Sequence, residues 1–207
     1  MVQLFNSEKV MIHSYAIRTC LSALLVGAAV LAPVHAVTAA DPVTLTPGCA
    51  PLLQHSFLRL QDEKPQSLCQ YSGKVLVVVN TASFCGFTPQ YVGLEALHAR
   101  YKDRGLMVLG FPSNDFSQET GSNKDIADFC ENTFGVKFPM FGKSGVTGKT
   151  ANPLFKQLAE KTGSQPRWNF HKYVIARDGQ SVRSFNTAVD PKDPAFLREI
   201  EKQLLGR

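Results

Sequence analysis

Cys85 is the residue in this chain whose type and setting best suit covalent chemistry. It lies in the run NTASFCGFTPQY, after the β-branched stretch from Val75 to Val79 and just before Thr88 and Pro89. Thr88 can cap the free N–H groups of a helix, and Pro89 suits a first helical turn. The pattern predicts a tight loop that holds the cysteine at the positive end of a helix, where the reactive thiolate is favoured. A buried, inert cysteine is the alternative.

The overall composition is that of an ordinary globular protein. The 207 residues suit one domain with a sizeable core, and 44% of them are apolar and 19% charged. The formal net charge is +5, but basic residues alternate with acidic ones and form no block. We therefore expect no nucleic-acid partner. The five histidines show no ligand spacing and no Cys-x-x-Cys occurs, so we predict neither a metal site nor a bound cofactor.

Residues 1–40 have the layout of a secretory signal peptide. Arg18 precedes an uncharged run from Cys20 to Val34, and small residues offer cleavage sites between Ala36 and Ala40. The apolar run is short for a membrane span. We therefore expect cleavage, a single domain over residues 41–207, periplasmic or secreted localisation and no stable membrane association. An uncleaved N-terminal anchor is the alternative.

Removal of the signal peptide leaves four cysteines, namely Cys49, Cys69, Cys85 and Cys130. Disulfides are common in exported proteins. Cys49 and Cys69 flank the first segment of the mature chain, well before the Cys85 loop. We predict a structural disulfide between them, and two free thiols are the alternative.

Hydrophobic periodicity predicts strands and helices that alternate around the Cys85 loop. Apolar or alternating runs predict extended segments at residues 55–60, 74–80, 106–111, 138–141, 173–177 and 181–185. Helical spacing and helix end signals predict helices at residues 89–103, 124–133, 153–161 and 194–205. This order is typical of a layered α/β sandwich, with Cys85 at the end of a central strand, where such folds commonly carry function.

Four motifs together resemble the glutathione peroxidase family. They are VNTASFCGFTPQY, GFPSNDF, ADFCENTFGVKFPMF and WNFHKY, and they follow the family's order over most of residues 50–207. The resemblance implies a thioredoxin-like three-layer α/β/α sandwich with a mixed central sheet. It also implies an enzyme that reduces hydrogen peroxide and organic hydroperoxides through a cysteine or selenocysteine, here Cys85.

The family groups its nucleophile with a Gln, a Trp and an Asn. By resemblance, Cys85 corresponds to the nucleophile, Trp168 to the Trp and Asn169 to the Asn. An indole N–H and an amide can both donate hydrogen bonds to a thiolate or a sulfenate, and neither adds a competing charge. The alternative for Trp168 is an ordinary core aromatic residue.

The chain departs from the family at the Gln. The family pattern resembles NQFGGQEPG, whereas this chain reads NDFSQETG, with Asp115 at the Gln position and one residue missing just after it. An ionised carboxylate near Cys85 disfavours its thiolate. We expect Asp115 to occupy the site and to act in proton shuttling. The alternatives are that Asp115 points away, that it is protonated, or that the shortened loop gives its role to Gln118.

Cys130 corresponds to a resolving cysteine that some family members carry in a segment such as FC…YG…FP. The resemblance then implies a two-cysteine cycle, in which Cys85 becomes a sulfenic acid and condenses with Cys130 to a disulfide. A disulfide needs Cα atoms within about 7 Å of each other. We therefore expect the helix around Cys130 to unwind during turnover. A buried, inactive helical cysteine is the alternative.

This cycle favours a thioredoxin-like dithiol protein over glutathione as the reductant, and no Arg and Lys cluster suited to glutathione carboxylates stands out. The link KTGSQPRWNF is short, and longer insertions there accompany tetramers in the family, so a monomer is implied.

Two other functions are open from the sequence. One is a thiol–disulfide relay, although Cys-x-x-Cys is replaced by Cys-Gly-Phe-Thr. The other is a non-catalytic binding protein, suggested by Asp115.

Overall fold

A mixed four-stranded sheet organises the chain. The computed structural model describes residues 48–206, and the predicted signal peptide lies outside them. The strands are β3 (Val75–Thr81), β4 (Leu106–Pro112), β5 (Lys172–Ile175) and β6 (Val182–Phe185), in the spatial order β4-β3-β5-β6. Strands β3 and β4 are parallel, whereas β5 is antiparallel to both β3 and β6. The residue pattern of β3 explains its central place, because all seven of its residues are buried.

Four α-helices flank this sheet. They are α1 (Gln90–Tyr101), α2 (Asn123–Phe134), α3 (Pro153–Thr162) and α4 (Pro194–Leu204). Helix α2 begins with a capping box between Ser122 and Asp125 and ends at Gly135, which adopts the left-handed conformation that glycine tolerates. Among the helices of residues 48–206, none is both long and apolar enough to cross a membrane.

Alternating side chains of β3 build two separate hydrophobic clusters. Val75, Val77 and Val79 pack in one cluster with buried residues of α1 and α4. Leu76 and Val78 point the other way and pack in a second cluster with buried residues of α3. Because a strand's successive side chains face opposite sides of the sheet, the clusters make the core of a three-layer sandwich. The predicted thioredoxin-like α/β class with a mixed sheet is confirmed.

A short hairpin precedes the sheet. Strands β1 (Ser56–Leu58) and β2 (Pro65–Ser67) pair antiparallel. The sequence analysis predicts an extended segment at residues 55–60, which contains β1, and does not predict β2. Proline is tolerated in β2 because it is the first residue of a short strand in a two-stranded ribbon.

The predicted bridge between Cys49 and Cys69 is present in the structure, with the two Cα atoms 5.3 Å apart. It fastens the segment before β1 to the 3-10 turn Leu68–Tyr71 that follows β2. Beside the bridge, Leu52, Leu53 and Leu68 are buried in the second hydrophobic cluster, which contains the residues of α3. The bridge therefore clips the N-terminal segment onto the body of the domain.

Replacing both Cys49 and Cys69 with serine is expected to lower the free energy of unfolding by about 3 kcal/mol. The reason is that the bridge, at a sequence separation of 20, restricts the unfolded chain. Urea denaturation of the oxidised protein and of the double variant measures the difference. The wild-type protein under a reductant is the matched control, and it should unfold at the midpoint of the variant. An unchanged midpoint in the variant would contradict a stabilising bridge in solution.

Candidate active site

Cys85 lies in the loop between β3 and α1, and only 8% of its surface is exposed. Thr88 closes this loop, because its Oγ1 accepts a hydrogen bond from the Cys85 N–H and donates one to the Ala82 carbonyl, both at 3.0 Å. The predicted role of Thr88 as a helix cap is therefore wrong. Helix α1 begins at Gln90, with Pro89 as its N-cap residue and no side-chain cap. The Thr88 hydroxyl closes the loop, and it is therefore not available to cap helix α1.

The sulfur of Cys85 has a hydrogen-bond donor and an aromatic rim. The backbone N–H of Phe87 points at Sγ over 3.4 Å. Phe84 and Phe87 on either side of the cysteine are both exposed. An N–H donor stabilises negative charge on sulfur, and two exposed aromatic rings leave an apolar surface around a nearly covered thiol.

Trp168 and Asn169 are held next to the end of β3 by Asn80. The side-chain amide of Asn80 donates to the Trp168 carbonyl at 3.1 Å and accepts from the His171 N–H at 3.0 Å. The Phe170 N–H donates to the Asn80 carbonyl at 2.7 Å, while Phe170 itself adopts a φ of 63°. This strained turn leaves Asn169 fully buried and Trp168 40% exposed. Asn80 thus positions both predicted site residues.

Asn80 is not among the site residues predicted from the sequence. The only signal was its place as a polar residue at the end of an otherwise apolar strand, and it is completely buried. A buried amide must find hydrogen-bond partners. Its partners are backbone groups about ninety positions away in the chain, which sequence spacing could not identify.

The structure corrects the expected placement of Asp115. Its Oδ2 accepts hydrogen bonds from the backbone N–H groups of Val146 (2.7 Å) and Thr147 (3.0 Å). The carboxylate is therefore engaged by a neighbouring loop, because two amide donors satisfy it better than a site that must hold a thiolate.

Gln118, and not Asp115, contacts a predicted site residue. The Asn169 Nδ2 donates to the Gln118 Oε1 at 2.9 Å, and the Phe84 N–H donates to the Gln118 carbonyl at 3.1 Å. Ser117, with a φ of 57°, turns the shortened loop so that Gln118 reaches this position. Since its oxygen is occupied by Asn169, the Gln118 NH₂ group is the end left to donate. The alternative in which Asp115 points away describes the structure, and the shortened loop brings Gln118 to Asn169.

Comparisons with known proteins identify the family of this chain. The glutathione peroxidase family model matches residues 54–159, which is more than half of the chain. The chain belongs to the glutathione peroxidase family. A glutathione peroxidase of Lactococcus lactis subsp. cremoris is 46% identical over 143 residues, which cover 67% of this chain and 90% of the relative. The predicted family and the predicted peroxidase class are confirmed.

Two further relatives of this peroxidase bear on its reductant and fold. The thioredoxin/glutathione peroxidase BtuE of Escherichia coli is 38% identical over 168 residues, covering 69% of this chain and 92% of the relative. The crystal structure of Trgpx in its apo form matches with a TM-score of 0.60 and 32% identity, covering 74% of this chain and 95% of that chain.

Cys130 of this peroxidase is a buried thiol on α2. It is 3% exposed, and neither Cys85 nor Cys130 is in a disulfide. Burial raises the pKa of the Cys130 thiol to about 11, against the opposing effect of the Tyr91 hydroxyl beside it, and the charge of Glu119 raises this pKa further. The folded helix therefore keeps Cys130 protonated at neutral pH. A protonated, covered thiol is a poor nucleophile.

Helix α2 is lightly anchored for an element that carries a site cysteine. Of its twelve residues only Ile126 and Cys130 are buried. After its end, the chain is held by Glu95, whose Oε2 accepts from the N–H groups of Lys137 (2.7 Å) and Phe138 (3.3 Å). Segments with few buried contacts open at lower free energy than the core. This packing is compatible with the helix opening that the sequence predicted.

A cavity of about 550 Å³ opens beside Trp168. Its lining includes Phe87, Arg167, Trp168, His171 and Thr187. Phe87 is also the residue whose N–H meets the Cys85 sulfur, so the cavity adjoins the Cys85 loop. Within residues 48–206, no group of three or more His, Cys, Asp or Glu side chains is arranged to hold a metal ion.

Gln118→Ala is expected to slow the reaction of Cys85 with hydrogen peroxide by about a hundredfold, because it removes the amide NH₂ group that is left to donate to the departing peroxide oxygen. Asp115→Asn is the matched control. One amide oxygen can still accept from the loop N–H groups, so its rate should stay within about twofold of the wild-type rate. Stopped-flow measurement of Cys85 oxidation in a single turnover compares the two variants. A slow Asp115→Asn beside a fast Gln118→Ala would restore the original assignment to Asp115.

His171 on the cavity wall gives a prediction for pH dependence. Its Nε2 lies 2.8 Å from the Ser184 Oγ, and burial together with the positive charge of Lys172 lowers the pKa of the imidazole to about 4. Between the ordinary pKa of 6.5 and about 4, the unfolded chain binds a proton that the folded protein does not. The free energy of unfolding is therefore expected to decrease as the pH is lowered through this window, by up to about 3 kcal/mol.

The variant His171→Gln isolates that contribution. Other groups titrate nearby, since burial lowers the pKa of His98 and raises that of Glu119. The difference in unfolding free energy between wild type and variant cancels their effects. Urea denaturation from pH 7 to pH 4 should show the wild type losing stability relative to the variant. Parallel curves would mean that the pKa of His171 is the same in the folded and the unfolded protein.

Proposed function

We propose that the protein is an exported thiol peroxidase that reduces hydrogen peroxide and organic hydroperoxides at Cys85. The observation that carries this proposal is the Cys85 sulfur beside a backbone N–H donor, with the Gln118 and Asn169 amides linked to each other. The Phe87 N–H can stabilise the thiolate, and the amides can donate to the leaving oxygen, in both cases without adding charge. The cavity beside Trp168 offers room for the organic part of a hydroperoxide.

The first chemical step is attack of the Cys85 thiolate on one peroxide oxygen. The S–O bond forms as the O–O bond breaks, and the sulfur is oxidised by two electrons. The departing oxygen takes up a proton and leaves as water or as an alcohol. Cys85 remains as a sulfenic acid, which the neighbouring N–H of Phe87 can stabilise.

The second step joins Cys85 to Cys130. The Cys130 thiolate attacks the sulfenic sulfur, the S–S bond forms, and the hydroxyl group leaves as water after protonation. The folded position of Cys130, with its pKa of about 11, does not favour this attack. Opening of α2 brings the thiol into water, where its pKa returns toward the ordinary value, and brings it to Cys85.

The third step restores both thiols by exchange with a dithiol protein of the thioredoxin type. A thiolate of that protein attacks the Cys85–Cys130 disulfide, and its second thiol completes the two-electron reduction. The exposed Phe84 and Phe87 beside Cys85 suit contact with another protein. The name of the Escherichia coli relative includes both thioredoxin and glutathione, so glutathione is the competing reductant.

We further propose that the mature protein acts as a monomer in the periplasm or outside the cell, without a bound cofactor, metal ion or stable membrane association. The signal-peptide pattern of residues 1–40 and the Cys49–Cys69 bridge support export. Cell fractionation with N-terminal sequencing tests this. The expected mature N-terminus follows a residue between Ala36 and Ala40, and an intact N-terminus in the membrane fraction would favour the anchor instead.

Peroxide-dependent NADPH oxidation tests the function and the reductant together. One assay couples the protein to thioredoxin and its reductase, and the other to glutathione and its reductase at equal thiol concentration. We expect turnover at least about tenfold faster with thioredoxin, since a dithiol resolves a disulfide in one encounter. Faster turnover with glutathione would overturn the choice of reductant. If neither assay oxidised NADPH, but the reduced protein reduced insulin in the absence of peroxide, a thiol–disulfide relay would be favoured.

A further inference from the structure

Glu119 is a fully buried carboxyl group that the resemblance to the family did not assign to the site. Its Oε2 accepts two hydrogen bonds from Ser83, one from the backbone N–H at 2.8 Å and one from Oγ at 3.0 Å. Its Oε1 is buried without a hydrogen-bond partner, and burial raises the pKa of the carboxyl. A buried carboxyl with one unpaired oxygen costs folding free energy. Such costly groups are found where function requires them.

The position of Glu119 in the chain shows what it could do. Ser83 precedes Cys85 by two residues, and Glu119 directly follows Gln118. The Phe84 N–H also donates to the Gln118 carbonyl at 3.1 Å. Two side-chain hydrogen bonds and one backbone hydrogen bond therefore tie the loop that carries the reactive sulfur to the loop that carries the amide.

The other hydrogen bonds of Glu119 do not reach the Cys85 loop. Its N–H donates to the Asn114 Oδ1 at 3.0 Å, and the Lys143 Nζ approaches its carbonyl at 3.4 Å. Among the described residues, Glu119 thus forms hydrogen bonds to the Cys85 loop through its carboxylate alone.

We propose that Glu119 is a positioning residue, whose carboxylate binds Ser83 and so holds the Gln118 amide in register with the Cys85 sulfur. This inference rests on the proposed peroxide reaction at Cys85. Glu119 itself touches neither substrate nor sulfur in this account. It acts through Ser83 on one side and through the backbone of Gln118 on the other.

The test compares two reactions of Cys85 in Glu119→Ala and in Glu119→Gln. Oxidation by hydrogen peroxide, followed by the fluorescence of Trp168, needs the Gln118 amide in place. Alkylation by iodoacetamide needs only an accessible thiolate. We expect Glu119→Ala to slow oxidation by about ten- to a hundredfold and to change alkylation by about twofold at most. Glu119→Gln keeps an oxygen that can accept from Ser83, so it should restore oxidation to within about threefold of the wild-type rate.

A double-mutant cycle with Gln118→Ala separates positioning from a general structural effect. If Glu119 acts by placing Gln118, the variant lacking both side chains should oxidise no more slowly than Gln118→Ala alone. The inference would be overturned if the losses of the two single variants multiplied in the double variant. It would also be overturned if Glu119→Ala oxidised at the wild-type rate, or if it lost oxidation and alkylation equally. If Glu119→Ala does not fold, Glu119→Leu removes the same tether without a cavity and takes its place.

The wild-type protein distinguishes this inference from the proposed function on which it rests. A wild-type Cys85 that is alkylated but not oxidised by hydrogen peroxide would defeat the proposed function. A wild-type Cys85 that is oxidised rapidly, beside a Glu119→Ala variant oxidised at the same rate, would defeat only the positioning role.

Discussion

Replacing Cys85 with serine is expected to lower hydroperoxide reduction by about ten-thousandfold or more, to the level of the assay without enzyme. A serine hydroxyl stays protonated at neutral pH and cannot attack the O–O bond as a thiolate does. The other site residues cannot compensate, because the side chains of Gln118, Trp168 and Asn169 carry no group that can form a thiolate-like nucleophile. The measurement is peroxide consumption with thioredoxin as the reductant.

Folding of the Cys85→Ser variant is the necessary control. The side chain is small, and the contacts that close the loop are made by the backbone N–H of residue 85 and by Thr88. The urea midpoint should therefore remain close to the wild-type value. A folded Cys85→Ser variant with activity within tenfold of wild type would exclude Cys85 as the nucleophile.

Replacing Cys130 with serine is expected to separate the first step of the reaction from turnover. Oxidation of Cys85 by one equivalent of peroxide should keep its rate within about twofold, since Cys130 takes no part in that step. Turnover with thioredoxin should fall by about a hundredfold or more, because no intramolecular disulfide can form. With excess peroxide, Cys85 should accumulate as sulfenic and then sulfinic acid, which intact-protein mass spectrometry detects.

Ala127→Ser on the same helix is the matched control for a polar change on α2. Ala127 packs against the same hydrophobic cluster but carries no thiol, so this variant should turn over at nearly the wild-type rate. Wild-type turnover in Cys130→Ser would mean that Cys85 is resolved by an external thiol. The case for glutathione as the reductant would then be stronger.

The sequence predicted the framework of the fold well because burial and periodicity are local signals. The central strand appears in the structure as Val75–Thr81, and the helix with Cys130 as Asn123–Phe134, close to the predicted ranges. The left-handed stop at Gly135 followed directly from residue type. The β2 strand was missed because three residues that begin with a proline give no periodic signal in the sequence.

The arrangement of the site was less predictable because it depends on loop geometry. Thr88 has the residue type of a helix cap, but its hydroxyl closes the Cys85 loop instead. The place of Gln118 depends on the left-handed φ of Ser117 in a shortened loop, which non-glycine residues rarely adopt. The pairing of Glu119 with Ser83 joins positions 36 residues apart, and no spacing rule predicts such a contact.

The placement of Gln118 also affects the choice among functions. Asp115 at the family's Gln position was the one feature that favoured a non-catalytic binding protein. Because Gln118 contacts Asn169 while Asp115 binds the Val146–Thr147 backbone, the amide is supplied from another position. A glutamine amide therefore stands beside Asn169 despite the Asp115 replacement, and the feature that favoured a binding protein loses its weight.

A disulfide map after one equivalent of hydrogen peroxide tests the two-cysteine cycle most directly. The reduced thiols Cys85 and Cys130 are oxidised, and non-reducing digestion with mass spectrometry locates every cysteine. The account predicts a new Cys85–Cys130 bridge beside an unchanged Cys49–Cys69 bridge. Cys85 found as sulfenic or sulfinic acid with Cys130 still free, or Cys85 found as an unmodified thiol, would contradict it.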